Sequence, residues 1–142
     1  MRYLLDVNVL IALIDTAHIH HEIAHEWFAK RGEWATCAIT ENGLLRIVGN
    51  PRYPNSPGTP AIAATYLADL KQLSGCQFWS EAVSLLDSKH FETHRLLTPR
   101  QITDSYLLGL AVRYEGQLAT FDRKIMTDAV IGGKRALHII GN

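Results

Sequence analysis

Four carboxylates in this chain stand where an acid is expensive. Asp6 separates the apolar run Tyr3-Leu4-Leu5 from a second one at residues 7–14, and Asp122 follows Leu118-Ala119-Thr120-Phe121. Glu41 heads Leu44, Leu45 and Val48, and Asp104 heads Leu107, Leu108 and Ala111. On a helix these offsets fall on one face. Two acids therefore sit at the mouths of core-facing stripes and two at the ends of core strands. An ionised group beside an apolar core needs a partner or a metal ion. Fourteen Asp and Glu are matched by fourteen Lys and Arg, with no evident dedicated cation for each of the four. Clustered carboxylates also repel one another and raise each other's pKa. Mg²⁺ or Mn²⁺, which prefer hard oxygen ligands, reverses that cost for several acids at once. Two such ions can activate a water and stabilise a leaving oxygen in phosphodiester cleavage. Asn8, two residues past Asp6, and Thr120, two before Asp122, are the polar helpers. Each can bind a metal-bound water or orient a carboxylate. Taken singly, an Asp at a strand end caps a turn, and an acid such as Glu41 in a first helical turn favours the helix dipole. The combination is what points to chemistry.

The elements that must position these residues follow from patterning. Residues 3–5 read as a short buried strand, 7–15 and 21–31 as helices, and 34–38 as a strand. Thr40 is the expected N-cap of a helix to about residue 48. Residues 50–60 hold four prolines and a glycine and form a loop. Thr59-Pro60 opens a helix to about residue 73, with proline at the first helical position. A strand at 77–79 precedes a short helix capped by Ser80 and ending at Leu86. Thr98-Pro99-Arg100-Gln101 reads as a capping box, with Thr98 as cap, opening a helix that runs to about Tyr114 and stops near Gly116. Residues 117–121 and 136–140 are the last two strands. Strands alternating with helices predict one α/β domain over residues 1–142 with a mostly parallel sheet. In such sheets ligands bind beyond the carboxyl ends of the strands, where all four acids are expected to converge.

Composition narrows the function classes. With 142 residues, 47% of them hydrophobic, the chain builds one real core and is not disordered. A formal net charge of zero leaves no global basic field for nucleic acid, so that role would rest on a local patch or a metal-bridged contact. Two cysteines, Cys37 and Cys76, make no disulfide framework and fit reduced, buried thiols, with a single bridge between them left open. Asp6 and Asn8 interrupt the first apolar stretch, so it does not read as a signal peptide. No stretch approaches the ~20 apolar residues of a membrane span. A cytoplasmic protein is expected.

Four segments carry a resemblance. Leu4-Leu5-Asp6-Val7-Asn8-Val9-Leu10, Thr40-Glu41-Asn42-Gly43-Leu44-Leu45-Arg46, Thr103-Asp104-Ser105-Tyr106-Leu107-Leu108-Gly109-Leu110-Ala111 and Leu118-Ala119-Thr120-Phe121-Asp122 occur in this order. Together they resemble the PIN-domain family, and most of all the VapC ribonuclease toxins of toxin–antitoxin pairs, over essentially the whole chain. The resemblance implies a three-layer α/β/α fold and a metal-dependent endoribonuclease. It maps the catalytic acids onto Asp6, Glu41, Asp104 and Asp122. On this reading Asp6, Asp104 and Asp122 hold a Mg²⁺ or Mn²⁺ ion, and Glu41 completes that site or holds a second ion. A VapB-like antitoxin and a homodimer are implied partners. Ser105 departs mildly, where the family often has a small apolar residue. Near the expected cleft, Arg46, Arg52, Arg100, Arg123 and Lys124 are the candidate contacts to an RNA substrate, and the loop at Arg52-Tyr53 a candidate stacking platform for a base.

Three other readings compete with this one. His21-Glu22-Ile23-Ala24-His25 is a literal H-E-x-x-H, which in a zinc peptidase supplies two ligands and a base. It comes early, and Glu26 is charged where such helices usually are not. A wheel puts Ile23, Ala24, Trp27 and Phe28 on the core face, with His21 at its edge and His25 well away, a solvated flank. A receiver-type phosphoacceptor domain needs an acceptor Asp after a mid-chain strand, where the proline-rich loop lies instead. A PIN-like module that binds RNA or a partner without cutting is the nearest alternative. All four acids are present, however, and a bare acidic cleft repels phosphate.

Overall fold

The computed structural model describes residues 1–141. Five strands, β1 (Arg2–Leu5), β2 (Glu33–Cys37), β3 (Cys76–Trp79), β4 (Gln117–Thr120) and β5 (Leu137–Ile139), form one sheet. Its order is β3-β2-β1-β4-β5, and every neighbouring pair is parallel. Among the described residues there are also six α-helices, α1 (Val7–Ile14), α2 (His21–Ala29), α3 (Ala38–Val48), α4 (Pro60–Lys71), α5 (Gln101–Arg113) and α6 (Gly133–Ala136), and one 3₁₀ turn (Thr93–Arg95).

Alternation along the strands divides the core in two. Leu5, Trp34 and Ala119 point into a cluster with Val9, Leu10, Phe28, Leu44, Val48, Ala63 and Leu67, from α1 to α4. Leu4, Ala35 and Leu118 point the other way, into a cluster with Phe91, Leu107, Leu108, Leu110, Ala111 and Ala136 around α5 and α6. A sheet buried on both faces needs near-continuous apolar strands, which these are. The result is three layers, α/β/α, as expected. The chain lays β2 and β3 on one side of β1 and β4 and β5 on the other. The strand order therefore switches at the β1–β4 pair, and the crevice of a parallel sheet opens at that point.

Several local expectations are corrected. α3 begins at Ala38 with Cys37 as N-cap. Thr40 is its third residue, and the Thr40 hydroxyl accepts from the Cys37 N–H at 3.1 Å, so it closes the turn from inside the helix. Thr59 and Pro60 open α4 as expected, with the Thr59 hydroxyl accepting from the Ile62 N–H. The box at Thr98 is half realised. Gln101 Oε1 accepts from the Leu97 and Thr98 N–H groups at 2.8 and 3.0 Å, but α5 starts at Gln101 with no side-chain cap. No helix follows Ser80. Val83 and Leu85 pack on the α5 core while the residues between them are exposed, a period of two. The segment is anchored as coil, with the Tyr114 hydroxyl donating to the Ser80 carbonyl at 3.0 Å. Cys37 and Cys76 are both free, Cys37 buried and Cys76 half-buried. The register sets Cys37 opposite Trp79 and Cys76 opposite Trp34. That offset is roughly 10 Å of strand, beyond what a disulfide spans. Among the described residues no helix is long and apolar enough to cross a membrane.

Candidate active site

Asp6 stands at the switch point. Its backbone N–H extends the sheet by donating to the Ala119 carbonyl at 3.0 Å, and its side chain turns to cap α1, accepting from the Val7 N–H at 2.8 Å. The second carboxylate oxygen accepts from the Thr120 hydroxyl at 2.8 Å. Asp6 is 8% exposed. Burial raises its pKa, bonds from Thr120 and Val7 pull it back, and the charge of Asp122 adds to the rise.

Thr120, the last residue of β4, is fully buried, and its hydroxyl orders the junction. While donating to Asp6 it accepts from Asn8 Nδ2 and from the Asp122 N–H, both at 3.1 Å. Asn8 Oδ1 in turn accepts from the Phe121 N–H at 3.3 Å. One hydroxyl thus uses its donor and both acceptor positions to fix Asp6, Asn8 and Asp122 relative to one another. Asp122 is exposed and turns back to accept from the Lys124 N–H at 2.8 Å.

Asp104 approaches from the first turn of α5. Its carboxyl is pushed up to about 6, first by burial and then by the negative charges of Asp6 and Asp122. The three aspartates therefore share one electrostatic site. None of them is in an ion pair among the described residues. Asp104 and Asp122 line a groove of about 430 Å³ with Thr98, Arg100, Gln101, Lys124 and Met126.

Of the five candidate basic contacts, Arg100 and Lys124 line this groove. The Arg123 guanidinium donates to the Gly141 carbonyl instead. Arg46, in the last turn of α3, and Arg52, in the proline-rich loop, are exposed but do not line it. Tyr53 is not a free platform. Its ring packs on the core and its hydroxyl donates to Asp15, a buried acid that also accepts from Asn55 Nδ2 at 3.1 Å. Burial and the bond to Asp15 hold the Tyr53 phenol well above its usual range.

Glu41 is placed differently from the aspartates. Its Oε2 accepts from the buried Thr36 hydroxyl at 2.6 Å and forms an ion pair with Lys71, the last residue of α4. It does not line the groove with Asp104 and Asp122. Its helix nevertheless runs close to Asp6: a Cβ on Gly43 would come within 2.8 Å of Val7 Cγ2. Lys71 and Thr36 are the partners that sequence reading missed. Thr36 shares a strand face with Trp34, which marks it as buried, but thirty residues separate Glu41 from Lys71 and no local pattern links them.

The H-E-x-x-H pair is corrected as well. His21 Nδ1 lies 2.7 Å from the Ala12 carbonyl and His25 Nε2 3.2 Å from the Leu13 carbonyl. The two rings cap the C-terminal carbonyls of α1, groups a helix leaves without partners. Each ring commits one nitrogen there. His25 is exposed, as expected of a solvated flank, yet it bonds a neighbouring element, whereas Ile23, expected on the core face, is exposed.

A divalent cation is the group this fold implies. The donors fit its chemistry: three hard carboxylates, two of them with raised pKa, mutually repelling and without a counter-ion. Among the described residues no three His, Cys, Asp or Glu side chains are already drawn together as a cation cage.

Comparison with known proteins places this geometry. The PIN domain profile matches residues 3–129. The chain is 48% identical to "Ribonuclease VapC44" of Mycobacterium tuberculosis, covering 95% of this chain and 96% of that one. It is 41% identical to "Ribonuclease VapC39" of the same organism over 93% and 96% of the two chains. Its fold is similar to the crystal structure of M. tuberculosis VapC20, described as a Sarcin-Ricin loop cleaving toxin, with a TM-score of 0.65 at 11% identity, covering 91% of this chain and 96% of that one. It is also similar to VapBC2 from Rickettsia felis, crystallised with a DNA fragment from its promoter, with a TM-score of 0.61 at 16% identity and 99% and 100% coverage.

Proposed function

Because this chain belongs to the PIN-domain family, and within it to the VapC ribonucleases, we propose that its groove hydrolyses phosphodiester bonds of RNA as the toxin of a VapBC-type pair. VapC ribonucleases of this family depend on a metal ion; here Asp6, Asp104 and Asp122 would hold it, as Mg²⁺ or Mn²⁺. Bound there, such an ion lowers the pKa of a water and offsets charge on phosphate oxygens.

The chain's own residues do the rest. Thr120 and Asn8 hold Asp6 in a fixed rotamer, so that it meets its ligand without reorganising. Arg100 and Lys124, which line the groove with Asp104 and Asp122, offset phosphate charge that the carboxylates alone would repel. The observation that carries this reading is geometric: Asp6 and Asp122 held on one Thr120 hydroxyl, Asp104 in the same groove as Asp122, and no ion-pair partner for any of them among the described residues, with burial and the two neighbouring acids pushing the Asp104 carboxyl up. A fold gains nothing from such a cluster unless a cation or a reaction uses it. A VapB-like antitoxin covering the site, a homodimer and a cytoplasmic location complete the proposal.

The test is cleavage of a mixed cellular RNA pool by purified protein in Mg²⁺, Mn²⁺ or EDTA, with Asp6→Ala as the control. Discrete cuts that need the metal and vanish in the variant support the proposal. Folded protein that binds the metal and RNA but never cuts would instead favour a non-cleaving PIN-like module.

A further inference from the structure

Glu41 has its own cation. Lys71 closes α4 with its ammonium on Glu41 Oε2, the same oxygen that receives the Thr36 hydroxyl. Both side chains of the pair are about three-quarters buried, with 28% and 24% exposure. The ammonium also faces the Phe78 ring, 5.3 Å from its centroid. It sits in the last turn of α4, where the helix dipole favours positive charge. Three independent features therefore hold Lys71 in place: an acid, an aromatic face and a helix end. The contrast with Asp6, Asp104 and Asp122 is sharp, since none of those is paired with a cation among the described residues.

We propose that Lys71 takes the place of a second divalent ion. The chain then loads one ion, on the three aspartates, and the Glu41–Lys71 pair supplies the remaining positive charge as a built-in ammonium. The inference rests on the metal-dependent reading above and deepens it. A divalent ion bound to Glu41 would meet an ammonium already on the same carboxylate, and the two cations repel at that range. To bind, it would have to displace a largely buried lysine whose one acidic partner among the described residues is Glu41. Lys71 is on this view a positioning residue. It keeps Glu41 turned toward Thr36 and Lys71, and away from the aspartates' ion.

The experiment counts ions by Mn²⁺ titration followed by electron paramagnetic resonance, on the whole protein with its melting transition recorded. Wild type is expected to bind one Mn²⁺. Lys71→Met, which removes the charge and keeps most of the stem, should bind two, the second more weakly. Adding Glu41→Gln to Lys71→Met should return the count to one, and Lys71→Arg should never leave it. Two ions in the wild type would overturn the role of Lys71 while leaving the metal-dependent reading intact. So would a count of one in a Lys71→Met protein that melts cooperatively. No ion in folded wild type would overturn both. The wild-type count needs no variant to fold.

Discussion

At Asp104 burial and two neighbouring negative charges act in the same direction, and the carboxyl titrates near 6 rather than at its ordinary 3.8. The sign of its effect on stability follows. The folded state holds the proton more tightly, so stability falls as pH rises through the window from about 4 to about 6, and the full penalty is present above it. Asp104→Asn should therefore raise the melting temperature in EDTA at pH 7.5. The side chain is only partly buried, so screening reduces the gain to on the order of 1 kcal/mol, or roughly 3 °C. Near pH 4 the variant should melt with wild type. A lower melting temperature at pH 7.5 would remove the repulsive cluster. The acids were legible from sequence because a carboxylate at the head of an apolar stripe is costly and conspicuous. Lys71 was not, because its partner is thirty residues away and on another helix.

Among the elements, α1 shows how much is settled by side chains from elsewhere. Eight residues, all apolar except Asn8, are too few for a helix that stands alone. Asp6 caps its start, and His21 and His25 from α2 bond its final carbonyls. His21→Ala leaves the Ala12 carbonyl without its partner and should cost about 1 kcal/mol, while Glu22→Gln, on the exposed side of α2, should melt like wild type. Thermal denaturation of both variants with and without added zinc separates the capping role from a metal site: zinc should change neither curve. Element identities were legible where periodicity was long, as in α4 and α5. They were misread where a polar start resembles a cap. Ser80 begins an extended segment whose burial repeats every second residue, and Thr98 begins a turn that Gln101 closes before the helix. The four-residue α6, entered from Gly132 at φ 77°, is too short to leave a pattern.

For the whole molecule, a net charge of zero conceals a local arrangement in which two basic side chains border two acids in one groove. RNA binding should therefore depend on salt through few contacts. Each phosphate contact contributes about 0.7 to the slope of log K against log salt on a single strand. Arg100→Ala and Lys124→Ala should each lower that slope by about one contact's worth, and Arg46→Ala and Arg52→Ala should leave it unchanged. Filter binding across a salt series, with Ca²⁺ in place of Mg²⁺ to restrain cutting, would reveal any equal loss at Arg46. The three-layer architecture was legible from the alternation of elements. Which basic residues face the groove was not, because loop geometry decides it: Arg123 and Lys124 are adjacent in sequence, and only Lys124 lines the groove.

The bond from Thr120 to Asp6 spans 114 residues of chain. A ribosome adding about 5–20 residues per second makes Asp6 first and needs on the order of ten seconds more to reach Thr120. Until β4 is synthesised, β1 lacks its neighbour on that side, Asp6 lacks its hydroxyl donor, and Asp122 does not exist. An enzyme that cuts RNA is born on RNA, and the order of its strands withholds a complete aspartate cluster until β4 and Asp122 have been translated.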